Sequence, residues 1–280
     1  MIKVFDMDEI FDKYISDFVY KNIGKIKPED IENQIPILYE KFGNEKLNEL
    51  DGKTPNEYYT SFTAQELIEC LKEHLDEKIP VSDFLCEAIQ GNKDNEQALL
   101  KELLVDNEEE YTLYLMNMLF AMGSKLGAKR YLEFVLWDYS LPIKELATEF
   151  LSSMADQVKE EILAQFNDLS SEVKGYLTEI LACCSKDDRV FDLLVAEFCK
   201  NQKDIPIYAG YLAKYGDERA LPFLLKTIES ADINYFDFEE LRFAIEALGG
   251  EYTKKRDFSN DSVYKKIQSA SKRKIQNKTE

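Results

Sequence analysis

The sequence predicts an all-α protein built as a solenoid of helical hairpins, and three observations carry that expectation. First, the segment DDRVFDLLVAEF beginning at Asp187 recurs as DERALPFLLKTI beginning at Asp217, 30 residues on. Asp187 matches Asp217, Arg189 matches Arg219, and Val190, Phe191, Leu194 and Phe198 match Ala220, Leu221, Leu224 and Ile228. A period of this size belongs to arrays of stacked units. Second, only 11 Gly and 7 Pro in 280 residues leave few β-turn signals, and no sustained apolar alternation of period two is present. Third, 45% hydrophobic residues, with 17 Phe and 16 Tyr, supply enough apolar surface to bury, so the chain folds.

Taken in order, the chain opens with a helix over Met7 to Tyr20, where Ile10, Phe11, Tyr14, Ile15, Phe18 and Val19 recur at three and four; Gly24 would end it. Pro28, Glu29 and Asp30 suit the first turn of a second helix running to about Phe42, since proline lacks the N–H that would go unpaired there and carboxylates suit the positive helix end. In the next loop Gly52 can adopt a left-handed conformation. Thr54 then caps a helix with Pro55 at its first position and Glu57 at its third, a capping box that Thr63 and Glu66 repeat. These residues form an N-terminal helical cap, 1–62.

Six hairpins follow over 63–250. They pair Ala64 to Glu77 with Val81 to Gln90, Glu96 to Leu104 with Glu108 to Met122, and Ala128 to Asp138 with Pro142 to Met154. The remaining three pair Gln157 to Asn167 with Ser171 to Cys184, Asp188 to Lys200 with Ile205 to Tyr215, and Glu218 to Glu229 with Phe238 to Leu248. The short connections suit antiparallel neighbours. Glu108 to Met122, acidic at its start and then almost wholly apolar, is expected to be the most buried helix.

The stretches KYGDERALPFLLKTIE and EELRFAIEALGG resemble the HEAT-like repeats first described in phycobilin lyases. Gly216, Asp217, Arg219, Ala220, Leu221 and Pro222 match the opening of helix A in that family, and Leu241, Arg242, Ile245, Ala247 and Leu248 match its helix B. The resemblance is clearest at 187–249, extends over 127–249, and is fainter over 64–123. It departs at the long connection Ser230 to Tyr235 and upstream, where Asp192 replaces the proline and Gly-Asp is missing. It implies a right-handed α-α superhelix whose B helices line the concave face. On that face Tyr176, Tyr208, Tyr211 and Arg242 would be the contact residues, although Tyr208, Tyr211 and Tyr215, spaced at three and four, read first as core packing.

After Gly250 the composition turns basic. Lys254 to Glu280 holds nine Lys or Arg and three acids, which leaves 26 basic and 51 acidic residues upstream, a net of −25. The 251–280 tail is expected to be disordered, or one loose helix around Val263 to Ile267.

The overall charge of −19 repels phosphate backbones, so nucleic acid is excluded as a partner of the body. MIKVFDMDEIF lacks a basic region followed by an apolar core and so reads as no secretory signal. The longest apolar run, Leu113 to Met122, is about half of the roughly 20 residues a membrane span needs. Five irregularly spaced cysteines make no disulfide framework and fit a reducing cytoplasm.

Catalytic signals are sparse. His74 is the only histidine, and Cys70 lies four residues before it, a spacing for two metal ligands. No second pair stands near, so the expectation is a helix-surface histidine beside a buried cysteine, without metal or other cofactor. Of Cys183 and Cys184, about 100° apart on a helix, one is expected in the core. No GxSxG and no phosphate-cradling glycine loop occurs. The function expected is therefore a cytoplasmic, non-catalytic interaction or scaffold protein presenting an acidic groove to a basic or amphipathic polypeptide. The alternative is a HEAT-repeat enzyme or enzyme-associated protein, lyase-like or glycosylase-like.

Overall fold

The computed structural model describes residues 3–23 and 28–276. Among them the only regular structure is helical. The chain divides into two compact units, Met1–Arg130 and Tyr131–Glu280.

In the first unit, α1 (Met7–Lys21) is capped by Asp6, whose carboxylate accepts from the Glu9 N–H at 2.9 Å. It packs on α2 (Pro28–Gly43). Gly24, the expected terminator of α1, lies outside the described residues. Both predicted capping boxes form. Thr54 and Glu57 exchange bonds ahead of α3 (Pro55–Tyr58), and Thr63 and Glu66 do so ahead of α4 (Ala64–Asp76). The left-handed turn before Thr54 uses Asp51 as well as Gly52.

Helices α4 and α5 (Asp83–Gln90) pair, as do α6 (Glu96–Leu103) and α7 (Glu109–Ala121). Across the pairs α4 meets α6 and α5 meets α7. The N-terminal helices pack on these hairpins: Tyr39 of α2 stacks on Phe84 of α5 and Phe42 meets the same ring at a tilt, with centroids 5.2 and 6.0 Å apart.

Two expectations are corrected here. Helix α7 is apolar round most of its circumference, but it is not buried all round and burial does not set it apart from the other helices. Tyr111, Leu115, Met118 and Leu119 are buried while Asn117 and Phe120 are exposed. His74 is not on the surface: it is 0% exposed. It falls three, four and seven residues after Leu71, Cys70 and Leu67, which places it on the buried stripe of α4.

Helix α8 (Ala128–Leu136) contains the division. In the second unit α9 (Leu141–Ser153), α10 (Lys159–Gln165), α11 (Ser171–Leu181), α12 (Asp188–Lys200), α13 (Ile205–Tyr215), α14 (Leu221–Ile228) and α15 (Tyr235–Ala247) follow with short connections. Helix α12 pairs with α13 and α14 with α15, as predicted. Alternate helices also meet in succession, α9 on α11, α11 on α13 and α13 on α15. Helix α15 begins three residues earlier than expected because Asn234 caps it, accepting from Asp237 N–H at 3.0 Å. It ends where the glycine pair demands. Gly249 takes φ +80°, and the N–H groups of Gly249 and Gly250 return to the carbonyls of Glu246 and Ile245.

The basic tail is not disordered over its described residues: it leaves α15 as a strap and then forms α16 (Ser262–Gln276), longer than the expected loose helix around 263–267. The strap is not loose. Lys254 pairs with Glu229 at 2.5 Å, Arg256 donates to the carbonyls of Ser230 and Ile228 at 2.7 and 2.8 Å, and Phe258 packs on Tyr235 and Phe238. Arg256 supplies the capping donors that the C-terminal end of α14 lacks.

Candidate functional site

The two copies of the repeated pattern make the same hydrogen bonds. Asp187 accepts from the Arg189 N–H at 2.9 Å and Asp217 from the Arg219 N–H at 3.0 Å, and each aspartate also holds the guanidinium of that arginine. Each arginine then reaches back to an acid about one repeat earlier. Arg189 grips Glu160 through both oxygens, at 2.9 and 2.7 Å, and Arg219 reaches Asp188 at 2.8 Å. Tyr215 adds a third tie, since its hydroxyl accepts from the N–H of Asp187 at 2.7 Å and donates to its carbonyl at 3.1 Å. This polar seam positions α12 and α14, and with them the helices paired to them.

On the helices that alternate with these, α9, α11 and α13 line an open pocket of about 420 Å³. Glu145, Thr148, Glu149 and Ser152 come from α9, Tyr176 and Glu179 from α11, and Lys214 from α13. The spacings of four on α9 and three on α11 put these residues on facing stripes. Tyr211 joins from α13 by donating to Glu179 at 3.4 Å. Burial, then the carboxylates of Glu172 and Glu145, raises the Tyr176 phenol above its ordinary value. Tyr211 is raised in the same way, by burial and by Glu179. Both phenols stay protonated donors at neutral pH. The pocket offers three carboxylates and one phenol against one ammonium, a set suited to a cationic group.

Two of the four candidate contact residues thus share a site, Tyr176 by lining it and Tyr211 through Glu179. Tyr208 is buried, its ring edge-on to Tyr211 at 5.7 Å, so it supports the neighbouring tyrosine. Arg242 stands apart, in a crevice beside the strap. Residue type alone missed Glu145, Glu149 and Glu179 among 54 acids, because only helix packing selects the three that converge.

The cysteine and histidine positions carry no metal-binding geometry. Among the described residues no cluster of three or more His, Cys, Asp or Glu is placed to hold an ion. Cys70 is buried beside His74, and burial pushes its thiol up to about 12. Cys184 is buried and likewise raised to about 12, whereas its neighbour Cys183 is half-buried; both lie in the turn after α11, which ends at Leu181, three residues short of the expected helix end. Among the described residues no helix is long and apolar enough to cross a membrane.

Comparison of this chain with protein-family models, with curated proteins and with solved structures finds no match.

Proposed function

We propose that this chain is a helical-repeat interaction protein that holds a basic polypeptide by seating a lysine or arginine side chain among Glu145, Glu149, Glu179 and Tyr176. The observation that carries the reading is the convergence of those carboxylates beside a tyrosine on α9 and α11. A carboxylate set accepts guanidinium or ammonium donors, and a phenol ring gives the cation an aromatic wall. The excess negative charge of −19 steers such a partner to the surface.

The seam of Asp187, Arg189, Asp217 and Arg219 supports the further view that the hairpins stack as a HEAT-like right-handed superhelix with α9, α11, α13 and α15 on its inner side. Stacking of that kind turns a single pocket into an extended groove. The free cysteines fit a reducing, cytoplasmic setting for this activity.

Fluorescence anisotropy of a labelled Lys/Arg-rich peptide tests the reading. The wild-type chain binds in a salt-sensitive manner, and the combined variant Glu145→Gln, Glu149→Gln, Glu179→Gln loses at least about tenfold in affinity with an unchanged helical spectrum. An unaltered affinity in that variant would sink the assignment of the pocket.

A further inference from the structure

The crevice beside the strap has the opposite character from the acidic cavity. It lies between α15 and residues 252–259, with a volume of about 640 Å³, inside the range of small-molecule sites. Four cations line it, Arg242, Lys254, Lys255 and Arg256, against the two acids Glu239 and Asp257. In a chain of net −19 that local excess is itself unusual.

How the four charges are partnered decides what the crevice can do. Lys254 is compensated by Glu229 at 2.5 Å, and Arg242 by Glu239 at 2.7 Å. Arg256 is held differently. Two of its N–H groups go to the main-chain carbonyls of Ser230 and Ile228, which orient the guanidinium over the Phe238 ring and leave three further N–H donors, while Glu229, already paired with Lys254, is the acid whose charge it also meets. Lys255 is exposed and makes no ion pair with any described residue. The Nε of Arg242 is shielded from solvent and has no hydrogen-bond partner among the described residues.

The other wall is aromatic. Tyr235 meets Phe258 at 5.3 Å and Tyr264 at 4.9 Å, and Phe238 meets Tyr252 at 5.8 Å. These edge-to-face contacts fix the strap on α15, so cations and rings are in place before any ligand arrives, which lowers the entropy cost of binding.

We propose that this crevice binds a small phosphate-bearing molecule with a planar ring, a nucleoside monophosphate in its simplest form. The phosphate meets Arg242, Lys255 and Arg256, whose guanidinium forks match phosphate oxygens, and the ring lies against Tyr252, Phe258 and Tyr264. A nucleic-acid strand is the wrong size of ligand, because the acidic body repels a long phosphate backbone.

Calorimetric titration of the full chain with adenosine monophosphate, adenosine and inorganic phosphate tests this. The monophosphate binds saturably, and each fragment binds at least about tenfold more weakly, since each loses one half of the contacts. Lys255→Gln, at an exposed position that folding does not depend on, weakens the monophosphate several-fold, and adding Arg242→Gln abolishes its heat. Absence of saturable monophosphate binding overturns the proposal. So does phosphate alone binding as tightly, or an unchanged affinity in Lys255→Gln, which is decisive even if Arg242→Gln disturbs the fold. Glu145→Gln leaves this titration unchanged, which keeps it separate from the acidic cavity.

Discussion

The guanidinium of Arg219 reaches Asp188 at 2.8 Å while gripping the aspartate two residues before it, Asp217, at 2.8 Å, so one side chain ties the start of its own helix to the start of the helix 31 residues earlier. Arg189 repeats this with Glu160 and Asp187. Both aspartates are held below the ordinary carboxylate value, first by the hydrogen bonds from these arginines.

Because the folded pKa of Asp187 lies below its unfolded one, the stability it adds is present above about pH 3.8 and is lost as pH falls below that value. Thermal melts from pH 6 to about pH 3 therefore show a steeper loss for the wild type than for Asp187→Asn. Arg219→Gln lowers Tm at low salt, and the loss shrinks in about 1 M salt, where exposed pairs are screened. A salt-independent loss would mean that Arg219 acts by packing on Phe191, 4.3 Å from its guanidinium, instead.

His74 makes the opposite kind of demand. Burial lowers its pKa below 6.5, outweighing the hydrogen bonds to Ile79 and Pro80 and the charges of Asp6 and Glu77 that oppose the shift. The folded state therefore keeps the ring neutral, and stability is full above about pH 6.5 and falls below it as the unfolded chain takes up the proton. Urea midpoints measured at pH 7.5 and pH 5.5 should separate more for the wild type than for His74→Leu. Equal separations would show that the ring is protonated when folded.

Leu224, at 0% exposure, occupies the helix A position that the repeated pattern assigns to the core. Leu224→Asp places an unpaired carboxylate there, at a cost of about 4 kcal/mol or more. For a unit of this size that is on the order of 10 °C in Tm. A melt within error of the wild type would overturn the packing described for α14.

The strap predicts an effect of the tail on stability. Arg256→Gln removes two charge-assisted bonds from the end of α14 and should cost about 1 to 2 kcal/mol. Ending the chain at Gly250 should cost more, and should leave binding of a cationic peptide unchanged at about 0.15 M salt, where distant charges are screened, since the strap is anchored at Glu229. Tighter binding after truncation would instead place the tail in the acidic cavity.

The amino-acid sequence by itself determined what depends on near neighbours. Helix period, the threonine capping boxes at Thr54 and Thr63, the paired Asp-x-Arg starts of two helices and the stop at Gly249–Gly250 are all set within a few residues by steric and hydrogen-bonding rules. The burial of His74 is also legible, as the residue seven after Leu67, because helical phase and not side-chain polarity decides which face it occupies. Only the tertiary structure decided which distant residues converge. Glu145 and Glu179 lie on different helices, and their approach depends on how those helices pack, as does the docking of the basic strap on Glu229 and the parting of Arg242 from Tyr176. Contacts of that kind come from helix faces chosen by burial across the whole unit, and no local spacing encodes them.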